Sequence, residues 1–391
     1  MAVTLHSGSP ERAGMSAALL ARASERAAKS VTEGEASAIT LLVARHGTVV
    51  LHEAFGRLTP EADAPTLTTG AIFPLMSIGK VITATAIMLL VEEGSVGLTR
   101  PVQEYIPEWA GDGKERVMVH HLLTHSSGLV DDDVVAWMDK NGDSVEIPPL
   151  PPNQHPRIHE LLWRRMEAPL SKDPGVEMSY SGTGYALLAE IVRRRGGTNL
   201  GEFAGARIFE PLGMSDTFYV IPQSASDRYV HRPADFADAA RLEDPYFLNT
   251  PAGSIGGHST AWDMGILCQT FLNGGSYGDH RLLSRAGVTE MTRNQIPGLG
   301  YFFKEDRERE ASRGYGWDVK GQKKPRFHGS LDSPAAYTHQ GAGGTSIMVD
   351  PAYDLVVVYL SAARGLMSPD IYTPGWSMDL FTNMVVASIT D

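Results

Sequence analysis

Near the start of the chain, Leu19, Leu20, Ala23 and Ala27 recur at helical spacing within Ala17–Ser30, a pattern that predicts an amphipathic helix. The period then changes. Ile39–Arg45 and Val49–Ala54 are β-branched runs around His46-Gly47-Thr48, a hairpin signal. The same signal returns near the other end of the chain. There Thr345–Val349 and Leu355–Leu360 flank a turn at Asp350–Asp354, and a helical pattern follows from Met378 to Ile389. Between the hairpins the periodicity is mainly helical. Helices are expected at Ser77–Glu93, Val119–His125, Gly184–Arg195 and Ala261–Leu272, the last two stopped by glycine pairs. Pro/Gly-rich or charged stretches at Ile147–Pro156 and Lys304–Arg313 read as surface loops.

Strands at both ends with helices between them predict an α/β plus all-α architecture. It consists of an antiparallel sheet built from both chain ends and flanked by the terminal helices, with a large helical domain inserted. Residues 1–75 and 310–391 are expected to form the sheet domain and 76–309 the helical one, with the active site at the seam.

The 391 residues are 42% hydrophobic and 20% charged, enough for a large core without disulfide or metal staples. The excess of 46 acidic over 34 basic side chains, net −12, argues against a nucleic-acid partner, which calls for a basic surface. Cys268, the single cysteine, cannot close an intramolecular disulfide. The N-terminus MAVTLHSGSPERAGMS lacks the apolar core of a signal peptide, and the longest apolar run, Val81–Val91, is too short to cross a bilayer. A soluble, cytoplasmic protein with no membrane partner is the expectation.

Three segments can carry chemistry. In Ser77-Ile78-Gly79-Lys80, the serine and lysine lie three residues apart at the start of the most apolar helix, so both face the same side. A serine hydroxyl needs a base to take its proton, and burial favours the neutral amine that lets a lysine do so. The helix start also offers N–H groups to a developing oxyanion. This is the only Ser-x-x-Lys among the nine lysines. The second segment is Met178-Ser179-Tyr180-Ser181-Gly182, where Tyr180 ends an irregular stretch just before a helix; a phenol held between cations can act as a general base. In the third, His339-Gln340-Gly341-Ala342-Gly343-Gly344, glycines leading into a strand allow close approach of backbone N–H groups to a ligand. Taken singly, each has a plain alternative: a helix cap with a surface lysine, a packing tyrosine, and a glycine-rich turn.

Together, in this order and spacing, they resemble the serine β-lactamase and penicillin-binding-protein superfamily. The similarity is to the branch of class C β-lactamases, D-Ala-D-Ala carboxypeptidases and family VIII carboxylesterases. His120–Leu129 (HHLLTHSSGL), Glu210–Met214 and Ser259–Met264 look like further landmarks of that family, so the resemblance spans roughly residues 10–390. It implies Ser77 as the acylated nucleophile, Lys80 as its activating partner and Tyr180 as the proton shuttle. The Ser77 and Ala342 N–H groups are implied as the oxyanion hole. His339, Gln340, Gly341 and Gly182 are implied to contact substrate. Gly79 replaces the family's usual Thr or Ser, Gly182 its common Asn and Gln340 its Thr or Gly. The implied activity is that of a serine hydrolase, a carboxylesterase on short or medium acyl esters, with a small-molecule ester as partner and neither metal nor organic cofactor. β-Lactamase, D-amino-acid peptidase or amidase, and acyltransferase activity are the alternatives of the same chemistry. A non-catalytic acyl-binding relative is the alternative outside it.

Other signals read as structural. Gly257-His258-Ser259 lacks the last glycine of a hydrolase elbow, and Ser259 is expected to cap the next helix. His121 and His125 stand four apart without an adjacent glutamate and read as structural histidines. Gly79-Lys80 is no P-loop; Arg193–Arg195 is expected to complement a helix dipole. Cys268 and Trp376 read as packing residues.

Overall fold

The two strands at the centre of the sheet are apolar on both faces, and the layers on either side follow from that. Along Ala36–Arg45, Ile39, Leu41 and Val43 point one way and Ala38, Leu42 and Ala44 the other; all are buried. Leu355–Ala363 repeats the pattern with Leu355, Val357 and Tyr359 against Val356, Val358 and Leu360. A strand buried on both faces loses the alternation of polar and apolar residues and reads as a continuous run. The first set packs on the terminal helices, α1 (Ala17–Thr32) and α6 (Met378–Ala387), through Leu20, Ala23, Ala27, Phe381 and Val385. The second set packs on the helical side of the molecule, where α5 (Ala261–Leu272) lies against the sheet.

The computed structural model describes all residues except 62, 237–238, 304–305, 324–328 and 366–376, and for 241–242, 246–247, 301–303 and 306–309 it describes the backbone. Trp376 lies outside the described residues. The sheet has seven strands: β1 (His6–Ser7), β2 (Ala36–Arg45), β3 (Thr48–Gly56), β4 (Asp318–Val319), β5 (Tyr337–Gly341), β6 (Thr345–Asp350) and β7 (Leu355–Ala363). Their order is β1-β3-β2-β7-β6-β5-β4, so β2 from the N-terminal end pairs with β7 from the C-terminal end. Every pairing is antiparallel except the two-residue contact of β1 with β3.

Helices α2 (Gly79–Glu92), α3 (Val119–Leu123) and α4 (Gly182–Gly196) form the body beside the sheet. Residues Gly79–Leu90 of α2 are buried all round, as a helix without a polar face must be. Two expectations need correction. Where a loop was expected at 304–313, the backbone of Gly300–Phe303 pairs antiparallel with Asp306–Glu310; the alternating charges of that second strand carry no apolar signal to read. And α5 is capped by Thr260, whose hydroxyl accepts the Asp263 N–H, rather than by Ser259. Among the described residues no helix is long and apolar enough to cross a membrane.

Candidate active site

Ser77 sits in a single 3₁₀ turn, Met76–Ile78, immediately before α2. Met76 holds a left-handed backbone, φ +53°, a conformation that costs a non-glycine residue roughly 1–3 kcal/mol and persists only where its surroundings enforce it. Those surroundings are specific. The Leu75 N–H donates to Gly257 O (2.8 Å), the Gly256 N–H to Met76 O (3.3 Å), and the Thr345 hydroxyl of β6 to Leu75 O (3.2 Å). The turn bearing the serine is thus tied to the sheet on one side and to the 253–257 segment on the other.

Lys80, 1% exposed, donates from Nζ to Ser77 Oγ at 3.2 Å and to Ser254 O at 2.5 Å. One turn on, the Thr83 hydroxyl donates to Gly253 O at 2.8 Å, so α2 and this segment run together closely. Gly79 makes that approach feasible: a Cβ there would stand 2.6 Å from Gly256 O. The residue that departs from the family pattern is therefore a packing requirement of this chain.

Tyr180 precedes α4, whose N-cap is Ser181. The Ser181 hydroxyl accepts the Gly184 N–H (3.1 Å) and donates to Asp131 Oδ1 (2.9 Å). Asp131 also accepts the Gly182 N–H (2.5 Å) and the Thr183 N–H (3.2 Å), so one carboxylate fixes the whole turn after Tyr180. On the other side, His125 Nδ1 accepts the Ser181 N–H (3.0 Å) and His125 O the Ser179 N–H (2.8 Å). Its ring lies 4.4 Å from that of Tyr180. Held this way, the Tyr180 ring stands over the Lys80 Nζ at 4.6 Å.

β5 closes the site. Gly341, at its end, lies so near Leu75 O and Met76 that any side chain would overlap them, which brings the Ala342 backbone beside the Ser77 turn. His339 is buried, its ring 6.5 Å from that of Tyr180 and its Nδ1 against Gln340 O (2.8 Å). Burial first, then the charges of Lys80 and Arg313, push its pKa down to about 3, so the ring is neutral at ordinary pH. The same causes hold His125 well below the usual histidine range. Arg313 brings a second cation beside Tyr180, its guanidinium carbon 5.6 Å from the ring centroid.

Ser77, Lys80, Tyr180, His339, Gly341 and Ala342 are thus brought to one place, and Gly182 borders it. A Cβ on Gly182 would meet Asp131 Oδ2 at 3.1 Å and Ser254 Oγ at 3.4 Å. Asp131, Ser254 and Arg313 were not legible in the sequence, because each lies in a segment with no recognisable pattern and acquires its place only through folding. The remaining signals settle elsewhere. Ser259 is fully buried and bonded to Thr217 Oγ1 (2.8 Å), far too enclosed for a nucleophile. His121 Nδ1 accepts the Met118 N–H. Arg193 and Arg194 pair with buried Glu190, and Arg195 donates to Ser95 O, so they brace the helix rather than only its dipole. Cys268 is buried in the core, which pushes its thiol pKa up.

A half-buried serine bonded to a buried lysine beneath a tyrosine, beside a sheet built from both chain ends, defines a serine hydrolase of the β-lactamase and penicillin-binding-protein superfamily. The profile of the family described as Beta-lactamase matches residues 23–375, and the chain belongs to that family. It is 28% identical over 393 residues to an Escherichia coli K12 protein provisionally named a D-alanyl-D-alanine carboxypeptidase, covering 91% of this chain and 85% of that one. Among solved structures it is similar to a penicillin-binding-protein homologue from Caulobacter crescentus, with TM-score 0.72, 22% identity, and coverage of 95% and 97%. It is likewise similar to a family VIII carboxylesterase, with TM-score 0.71, 20% identity, and coverage of 96% and 99%.

Proposed function

We propose that the protein is a carboxylesterase that hydrolyses small and medium acyl esters through an acyl-enzyme on Ser77. The observation that carries the reading is the 3.2 Å contact between Lys80 Nζ and Ser77 Oγ, made inside a buried helix start and beneath the Tyr180 ring. Ser77 Oγ adds to the acyl carbon as its proton passes to the Lys80–Tyr180 pair. The oxyanion formed is held by the Ser77 and Ala342 N–H groups. The bond to the alkoxide then breaks, Tyr180 returns the proton to the leaving alcohol, and water releases the acid by the same steps in reverse. No cofactor is called for. An ester rather than a β-lactam is favoured by the neutral His339 and by Gly182, which offers no side-chain amide to an acylamido group. Incubation with a fluorophosphonate should place a single adduct on Ser77 by mass spectrometry. An adduct on Ser259, or none with no turnover of p-nitrophenyl esters, would sink the proposal and favour a non-catalytic acyl-binding relative.

A second reading, a peptidase acting on D-amino-acid peptides, is favoured by Arg313. Its guanidinium beside Tyr180 and His339 supplies the fixed positive charge that His339 lacks, and such a charge suits a substrate carboxylate. Comparing a D-alanyl-D-alanine peptide with its C-terminal amide separates the readings. Hydrolysis of the free acid well above both the amide and the p-nitrophenyl esters would replace the esterase assignment.

A further inference from the structure

Arg232 lies outside every motif, yet it is buried beneath the turn that carries Ala342. Its guanidinium donates from Nη2 to Gly343 O at 3.0 Å and from Nη1 to Ala363 O. Among the described residues, the hydrogen bonds of this buried cation go to those two carbonyls. Glu243 faces it by accepting the Arg232 backbone N–H (2.8 Å) and by its charge, and Glu243 is itself shared with His231 (2.9 Å). Burying a guanidinium on backbone carbonyls costs more desolvation than such neutral acceptors return, so the arrangement calls for a reason beyond stability.

The turn supplies one. Gly343 and Gly344 both hold left-handed backbones, φ +85° and +104°, and a side chain on Gly343 would overlap the guanidinium. Gly343 O accepts the Ala363 N–H (2.8 Å) as well as Arg232, and the Gly344 N–H donates back to Gly341 O (3.2 Å). Ser361 Oγ holds Gly344 O (2.9 Å). The peptide bearing the Ala342 N–H is therefore suspended between β5, which is fixed against Leu75, and Gly343, which is fixed by Arg232. An oxyanion donor works only if its direction is set before the charge develops.

We propose that Arg232 is a positioning residue for the oxyanion hole: it clamps Gly343, thereby aiming the Ala342 N–H at the substrate oxygen, and its buried charge favours the negative oxygen formed there. This rests on the acyl-enzyme reading above.

The test compares the unaltered protein with Arg232→Ala and Arg232→Lys, using a p-nitrophenyl ester and a phenylboronic acid whose tetrahedral adduct on Ser77 places an oxygen in the hole. Arg232→Ala should lower kcat at least about tenfold with KM within about threefold, and weaken boronate inhibition by a similar factor. Added guanidinium ion at millimolar concentration should restore part of the loss. Arg232→Lys, which keeps the charge but reaches one carbonyl, should fall between. Thermal melting monitors folding, and if the alanine variant does not fold, the lysine variant carries the test through its kcat and boronate affinity. A folded variant with unchanged kcat and boronate affinity overturns the proposal, as does a fall in kcat with boronate affinity unchanged. Absence of a fluorophosphonate adduct on Ser77 in the unaltered protein overturns the acyl-enzyme reading and this one with it. A normal adduct with undiminished Arg232 variants overturns this one alone.

Discussion

Ser77 and Lys80 come from one helix start and stand three residues apart, whereas the wall around them is gathered from Asp131, Ser254, Arg313 and His339, in four separate segments. The reacting pair depends on local geometry, since a helix brings residues three apart onto one face whatever surrounds it. The wall depends on the whole fold. That difference separates what the protein does to a carbonyl from which carbonyl it accepts, and each half can be broken on its own.

The largest effect should come from the local half. Ser77→Ala should reduce ester hydrolysis at least about 10⁴-fold, with the melting temperature unchanged, because the variant loses only the hydroxyl. Residual hydrolysis near the original rate would mean that the serine lies elsewhere. Tyr180→Phe should lower kcat about 10²-fold, the usual scale for a positioned acid–base group, with fluorophosphonate labelling slowed rather than abolished. A near-normal kcat would move the shuttle to another group of the cleft.

Gly79→Ser joins the two halves. It restores a residue common in the family but puts a Cβ 2.6 Å from Gly256 O, on the segment whose Ser254 O holds Lys80. Overpacking of this kind costs typically 1–3 kcal/mol. Chemical denaturation should show a loss of that size together with reduced kcat. A neutral outcome would mean that the 253–257 segment yields without disturbing Lys80.

How much of this was legible beforehand follows the same division. The N-terminal helix could be read from its repeating apolar face, whereas the hairpins and α5, buried nearly all round, could be read from continuous apolar runs bounded by turn or glycine residues. Ser77 and Lys80 could be picked out because residues three apart share one face of a helix, and Tyr180 because the three motifs together resemble those of the superfamily. Asp131 could not, since a carboxylate that caps a helix some 50 residues later leaves no trace in the spacing near either end. Arg232 and Arg313 could not either: each looks like a surface arginine until the fold turns it inward.

Buried histidines should make stability depend on pH. His258 and His339 have pKa values pushed down by burial to about 4 and about 3, below the unfolded value of 6.5. The unfolded chain therefore binds protons first as pH falls, so stability is present above about pH 6.5 and is lost towards pH 4. Between pH 7 and pH 5, before most carboxylates titrate, each should contribute a loss of roughly 2 kcal/mol. Melting temperatures that stay flat over that range would show that one or both rings take up a proton without unfolding.

The smallest expected effect concerns Gly182→Asn, and it bears on the wall alone. From sequence, an asparagine here should supply the missing amide and narrow the gap between esters and a β-lactam such as nitrocefin, provided the cleft can seat it. In this structure that seat is crowded. The new Cβ would stand 3.1 Å from Asp131 Oδ2, tighter than ordinary contact, and would touch Ser254 at 3.4 Å, and the amide beyond it would compete with the Gly182 N–H for the same carboxylate. Asp131 cannot retreat without releasing Ser181 and Thr183 as well, and with them the turn that holds Tyr180. In the unaltered protein, kcat/KM for a short p-nitrophenyl ester should exceed that for nitrocefin by about two orders of magnitude, near 2.7 kcal/mol. Gly182→Asn should leave that ratio within about threefold, lowering both values slightly. If the substitution instead raised nitrocefin turnover tenfold with ester hydrolysis intact, the carboxylate would have to be mobile, and Asp131 would no longer stand as the element that fixes the tyrosine turn.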